Sequence, residues 1–286
     1  MVSRPLPASC LAEMLGTFML VLFGCGAVHV AVLMGDLSGL WQVGIVWGTA
    51  IMLAAYVVGP ISGAHINPAI TVGLATFGLF PRERVAAYMA SQLAGAFLAA
   101  ATLFFLFSSY LAAKEEVKGV RRGEPGSQIT AMCYGEYFPS PGSFAAGNEP
   151  LDTAQLAAFD NRVSPLQACV AEFLGTAILA LVVVAVGEPN HPSGPRNLAP
   201  VFIGLTVTCL ICLLAPLTQA CFNPARDFGP RLFAFLAGWG PIALPGPRGL
   251  SFLAVYLLAP TLGAIFGIGC YQNFLQRYMQ THPTAT

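Results

Sequence analysis

The chain reads as an all-α membrane protein. Six transmembrane helices and two re-entrant half-helices are expected, arranged as two inverted repeats in a single domain over residues 1–286. Three observations lead to this. Hydrophobic residues make up 56% of the chain and charged residues only 9%, whereas a soluble domain carries about a quarter charged residues. The tripeptide Asn-Pro-Ala is written twice, as Asn67-Pro68-Ala69 and Asn223-Pro224-Ala225, 156 residues apart. A second string recurs at nearly that offset: Cys-Leu-Ala-Glu-Met-Leu-Gly-Thr from Cys10, and Cys-Val-Ala-Glu-Phe-Leu-Gly-Thr from Cys169.

The elements follow in order. The first apolar run, about 8–34, is longer than the roughly 7–15-residue core of a secretory signal, so it is read as a span. Further apolar runs over about 40–59, 85–109, 165–187, 199–217 and 250–274 each approach the roughly 20 residues that cross a bilayer as a helix. Two shorter runs, about 67–79 and 223–236, follow the Asn-Pro-Ala copies. At about 1.5 Å per residue they reach only some 20 Å and enter without crossing. The first repeat covers about 8–109, the second about 165–274, and a polar outer loop, 110–163, joins them. An odd number of spans per repeat inserts the second upside down relative to the first, which places a functional site at the midplane.

Charge excludes several function classes. Thirteen basic and thirteen acidic residues balance, so no nucleic-acid partner is expected. Orientation is weakly marked. With both termini inside, Arg4, Arg82, Arg84, Arg196 and Arg277 lie inside and the other eight basic residues elsewhere, five of them in the long loop, where charge counts little. Eight cysteines are present. Cys209 and Cys212 spell C-x-x-C within an apolar run, where small residues serve helix packing. Gly95, Ala96, Gly263 and Ala264 are further close-packing candidates. The four histidines are scattered. No metal cluster, cofactor site or catalytic constellation is expected, and the chain is read as no enzyme.

The Asn-Pro-Ala motif has a physical reading. Asn is a preferred helix N-cap and Pro is favoured at the first helical position. A chance copy is expected in about one chain in twenty of this length; two at the repeat offset are far rarer. The stretches before each copy, Ser62-Gly63-Ala64-His65-Ile66 and Thr218-Gln219-Ala220-Cys221-Phe222, are expected to be extended. Irregular backbone at membrane depth is tolerated where it lines a wet cavity, so Gly63, Ala64, His65, Gln219 and Cys221 are taken to present pore-lining backbone. Asn67 and Asn223 then supply donors at the centre. Each half-helix points about half a positive charge at that centre, which repels cations and hydronium and lets neutral polar solutes pass. Arg226, three residues after Asn223, is a membrane-depth arginine, a functional candidate by default.

Ala-Glu-Met-Leu-Gly-Thr, Ser-Gly-Ala-His-Ile-Asn-Pro-Ala-Ile-Thr, Phe-Asn-Pro-Ala-Arg-Asp-Phe-Gly-Pro-Arg and Leu-Ala-Gly-Trp-Gly together resemble the aquaporin or major intrinsic protein family, and within it the glycerol-facilitator (aquaglyceroporin) branch. The resemblance covers essentially the whole chain except much of 110–163. It implies an aquaporin-like fold, glycerol, water and small polyols as permeants, a homotetramer in the lipid bilayer, and a plasma (inner) membrane location with both termini cytoplasmic. It implies a selectivity filter of Trp47, Ile211, Ala220 and Arg226. Trp47 matches the tryptophan that packs on the solute's carbons, and Arg226 the filter arginine. The filter departs from both familiar patterns: Ala220 stands where the second aromatic is expected, and Ile211 where water-selective channels have His and the glycerol facilitator has Gly. Asp227, with Arg231, resembles the glycerol branch and is expected to anchor the outer loop.

Glu13 and Glu172 occupy equivalent places in the two repeats. Buried carboxylates there need partners. They are read as acceptors for re-entrant backbone, with Gln92 in a similar supporting role; a proton relay is the other reading. His65 either lines the inner vestibule or braces its loop. Three functions stand open: a passive channel for glycerol and other small neutral solutes that also passes water and excludes protons and ions, a water-selective channel, and an ion-coupled transporter.

Overall fold

The structure, a computed structural model, describes residues 5–281 apart from Ser38, Asn190, Pro192 and Ser193. Arg4 and part of the 188–198 connection therefore lie outside the described residues. Helix α1 spans Leu6–His29 and runs on as a π-helical turn to Met34; α2 spans Leu40–Ser62, the half-helix α3 Pro68–Thr76, and α4 Val85–Lys118. Three short helices follow in the loop: α5 (Gln128–Ala131), α6 (Gly142–Ala145) and α7 (Thr153–Phe159). The order then repeats, with α8 (Pro165–Gly187), α9 (Ala199–Thr218), the half-helix α10 (Pro224–Ala234) and α11 (Ala259–Cys270). A π-helical turn, Leu253–Leu258, leads into α11, and α12 (Gln276–Thr281) ends the described chain. Among the described residues, six helical segments are long and apolar enough to cross a membrane.

Local chemistry explains these boundaries. Ser164 caps α8 in a reciprocal capping box with Gln167, and Pro165 occupies the first helical position. Helix α2 stops at Gly63, whose φ of 89° suits a residue without a Cβ. One boundary differs from the sequence expectation. Helix α4 does not end at 109; it runs nine residues further, and the linker begins at Gly119. The charged residues of that last stretch find partners in the folded loop. Lys114 Nζ donates to Gly147 O (3.2 Å), Lys118 Nζ to Ala146 O (2.6 Å), and Glu115 accepts from Arg122 and Thr130. The loop is itself packed: Ile129, Tyr134, Tyr137 and Phe138 are buried.

The spans pack in three principal pairs, α1 on α4, α8 on α11, and α2 on α9. Small residues set each approach. A Cβ on Gly95 would collide with the Met14 carbonyl of α1, and one on Gly263 with the Phe173 carbonyl of α8; Gly48 and Gly204 face each other's carbonyls where α2 crosses α9. Such contacts let backbones meet where lipid supplies no hydrophobic drive. Each half-helix packs on the last span of the other repeat: α3 lies on α11, and α10 on α4. The two halves therefore complete one another's core.

Candidate functional site

The two half-helices meet head to head. Asn67 Oδ1 accepts from Ala69 N (2.9 Å), and Asn223 Oδ1 from Ala225 N (3.1 Å) and Arg226 N (3.3 Å), so each asparagine caps its own helix. Across the junction, Asn67 Nδ2 donates to Phe222 O and Asn223 Nδ2 to Ile66 O, both at 2.8 Å. An amide nitrogen carries two hydrogens. One from each asparagine ties the two loops together, which leaves the second hydrogen of each for another partner.

The segments that lead into the asparagines are not extended. Ala64 and Ile66 in the first, and Gln219, Ala220 and Phe222 in the second, have φ between 42° and 61°. The left-handed conformation is costly for residues other than glycine. It turns neighbouring amide N–H groups toward a single carboxylate. His65 N and Ile66 N donate to Glu13 Oε1 and Oε2 at 2.9 and 2.7 Å; Cys221 N and Phe222 N donate to Glu172 Oε1 and Oε2 at 3.0 and 2.8 Å. Both carboxylates are fully buried. Three positions of the recurring Ala-Glu-x-Leu-Gly-Thr string now have a role. Glu gathers the two amides. Gly16 and Gly175 leave room for Ile66 and Phe222, against which a Cβ would clash. Thr17 and Thr176 return their hydroxyls to the carbonyls of Glu13 and Glu172.

The support differs between the halves. Gln92 Nε2 donates to Glu13 Oε2 (2.8 Å) and to Thr71 Oγ1 (3.0 Å), whereas the side-chain donor to Glu172 is the Thr218 hydroxyl. His65 does both things expected of it: Nδ1 lies 3.2 Å from Thr71 Oγ1, its ring packs edge-on against Phe80, and it lines a cavity. His29 is fully buried, bonded through Nδ1 to Cys25 O (2.8 Å) and edge-on to Tyr134 of the loop at 4.8 Å.

Two cavities converge on this region. One, about 710 Å³, opens on the side covered by the loop and is lined by Lys114, Gln219 and several loop residues. The other, about 300 Å³, runs down the far side past Ala220, Cys221, Asn223, Asn67, His65, Ala64 and Gly63. Trp47, Ile211 and Arg226 line both. Three of the four expected filter residues therefore stand at the junction, and Ala220 lies just on the far side of it. The Arg226 guanidinium sits 4.2 Å from the centre of the Trp47 ring, a cation–π distance. Gly24 leaves the space that the Trp47 ring fills.

Asp227 points away from both cavities and holds the loop. Its Oδ1 accepts from Glu136 N (2.7 Å), and its carboxylate takes Arg231 Nε (2.9 Å) and Nη2 (2.7 Å). Arg231 in turn donates to the carbonyls of Ala243 and Glu136. Gln219 also reaches the loop, accepting from Tyr137 N (2.9 Å). One residue of this assembly was absent from the sequence reading. Glu136 forms an ion pair with Arg226, with its side chain fully buried. The available signal was compositional: Met132-Cys133-Tyr134-Gly135-Glu136-Tyr137-Phe138 is an apolar, aromatic run inside a polar loop. Such a run implies burial, and an acid inside it needs a partner.

Comparison with known proteins gives a consistent result. The family model described as Major intrinsic protein matches residues 2–271. The chain is 38% identical to the glycerol uptake facilitator protein of Pseudomonas aeruginosa over 272 residues, covering 94% of this chain and 89% of that protein. It is 37% identical to the protein of the same description from Haemophilus influenzae over 274 residues, 95% of each chain. It is 36% identical to a propanediol uptake facilitator of Citrobacter freundii over 272 residues, covering 94% of this chain and 93% of that one. Among solved structures, the aquaglyceroporin from Plasmodium falciparum superposes with a TM-score of 0.78 at 22% identity, covering 97% of this chain and all of that one; this likeness concerns the fold.

Proposed function

The chain belongs to the major intrinsic protein family, and we propose that it is a passive channel for glycerol and other small neutral solutes that also passes water and excludes protons and ions. The observation that carries this is the lining of the two cavities. They meet at Trp47, Ile211 and Arg226, and among the described residues no carboxylate lines either one. A proton- or cation-coupled carrier needs a carboxylate on the solute path to take up the ion. Glu13 and Glu172 are the candidates, and both are buried behind the loops with their oxygens bonded to backbone amides. We assign it no enzymatic activity, in keeping with relatives named as uptake facilitators.

The filter's chemistry suits a polyol. Arg226 offers donors along one edge, and Trp47 and Ile211 offer apolar surface to the solute's carbons. Ala220 leaves space that an aromatic side chain would close. Relatives named as glycerol and propanediol facilitators fit such a one-sided filter. Below it, the spare hydrogens of Asn67 and Asn223 orient a single file of hydroxyls or waters, and the half-helix N-termini oppose cations. On this reading the large cavity under the loop is the outer vestibule, both termini are cytoplasmic, residues 1–286 form one channel domain of two inverted repeats, and the protein works as a homotetramer in the plasma membrane.

Stopped-flow light scattering on liposomes holding the purified protein tests the proposal. Glycerol, 1,2-propanediol and water should all cross faster than in empty liposomes, without saturation and without dependence on a proton or sodium gradient. Water flux without glycerol flux would assign the channel to the water-selective class. Gradient-driven uptake would make it a carrier.

A further inference from the structure

The Glu136 carboxylate lies behind the filter, in neither cavity wall, and reaches the permeating solute only through Arg226. Its position is held independently of that pair: its own N–H donates to Asp227 and its carbonyl accepts from Arg231. The surrounding charges are already matched. Asp227 is taken up by Arg231, and Glu172 by two backbone amides. Glu136 and Arg226 are left to balance one another. Glu136 Oε2 has no hydrogen-bond partner among the described residues.

We propose that Glu136 is a positioning residue of the filter: paired with Arg226, it cancels the guanidinium charge and withdraws one of its donor edges from the solute, and when it takes up a proton from water the flux slows. This rests on the channel reading above. The physical reason is the balance between entry and release. A bare guanidinium binds a passing hydroxyl or water through charge-assisted hydrogen bonds, roughly twice as strong as neutral ones. Conduction requires binding weak enough to let the solute leave. The ion pair weakens that hold; protonation restores it.

Proton uptake falls in an accessible range. Burial pushes the Glu136 carboxyl up to about 8, against the opposing pull of Arg226. The other groups that face it are Asp227 and Arg231 on α10, Cys221 just before α10, Glu172 on α8, Cys25 on α1, Tyr137 of the loop, and Tyr256 before α11. The carboxyl is therefore neutral well below pH 8 and ionised well above it. Flux should rise as pH rises through that value.

The test uses the full chain in liposomes, with equal pH on both faces, so that insertion direction does not matter. Water and glycerol permeabilities are followed from about pH 6 to about pH 9.5. Wild type should gain on the order of threefold to tenfold in water permeability with a midpoint near 8, the rate equivalent of about one net hydrogen bond. Glu136→Gln, which keeps the shape and the backbone contacts, should give a profile flat at the low-pH level. Glu136→Asp should keep a pH-dependent profile with a displaced midpoint. A flat wild-type profile overturns the proposal even if the Gln variant inserts poorly. An unchanged profile in Glu136→Gln overturns it too, and assigns the pH dependence to another group. If wild type passes neither solute at any pH, the channel reading itself fails and this inference goes with it; conduction with a flat profile removes only the inference.

Discussion

Replacing Glu172 by Gln tests the structural reading of the two buried carboxylates against their reading as a proton relay. The Glu172 oxygens accept the N–H groups of Cys221 and Phe222 at 3.0 and 2.8 Å. A glutamine amide has the same shape but one oxygen and one NH₂. Whichever way it turns, one backbone N–H then faces another donor. The retained bond falls from a charge-assisted worth of about 1.5–3 kcal/mol to about 1 kcal/mol, and the other is lost with its donor buried, at about 1–3 kcal/mol. Together the change costs about 3–4 kcal/mol. That energy is what holds Gln219, Ala220 and Phe222 in the left-handed region, where each residue stores on the order of 1 kcal/mol or more. The loop should therefore relax, and its carbonyls should leave the pore wall. Glu172→Gln should lower the melting temperature in detergent by on the order of 5–10 °C and cut glycerol and water flux several-fold together. Glu13→Gln should be worse, since Gln92 Nε2 also points at that carboxylate and a second donor would be stranded. An unchanged melting temperature, combined with loss of gradient-driven uptake, would refute this reasoning in favour of a relay.

Two further changes probe the filter and the helix crossings. Ala220→Phe fills the space beside Trp47 and Ile211 with an aromatic ring, so longer polyols should be excluded first, glycerol slowed, and water least affected; equal flux of all solutes in the same liposome assay would place the constriction elsewhere. Gly263→Ala puts a methyl against the Phe173 carbonyl where α11 crosses α8, which should cost about 1–3 kcal/mol by overpacking, read as a lower melting temperature with little change in solute preference among the properly folded molecules.

What could be read from the chain divides by range. The spans announced themselves because each is a local property, a run of apolar residues of membrane length, and α8 begins and ends where its run does, at Pro165 and Gly187. The half-helices were legible for the same reason: Asn at the cap and Pro at the first position are nearest-neighbour chemistry. Helix α4 was misjudged because its last nine residues carry four charges, and three of them, Lys114, Glu115 and Lys118, are satisfied by Gly147, Thr130 and Ala146, all distant in sequence. The backbone before each asparagine was misjudged in the same way. Nothing local puts Ile66 or Phe222 in the left-handed region; carboxylates some fifty residues earlier, on another helix, accept their N–H groups there.

The filter sits where these two kinds of information meet. Its proposed wall residues were implied by the family resemblance, and Trp47, Ile211 and Arg226 do stand together where the two cavities meet. Its charge balance was not. Arg226 was visible as a costly cation, but Asp227, its nearest acid in sequence, was read with Arg231 as an anchor of the outer loop, which left Arg226 without an assigned counter-ion. The structure supplies one. A side chain at position i+1 on a helix does not face its neighbour, so Asp227 turns outward to Arg231, one helical turn on, and to the loop amide of Glu136. Arg226 takes the carboxylate of Glu136 itself. The loop that looked like a polar linker thus supplies the filter's missing charge, and a substitution at Glu136 should alter permeation from a residue that no solute touches.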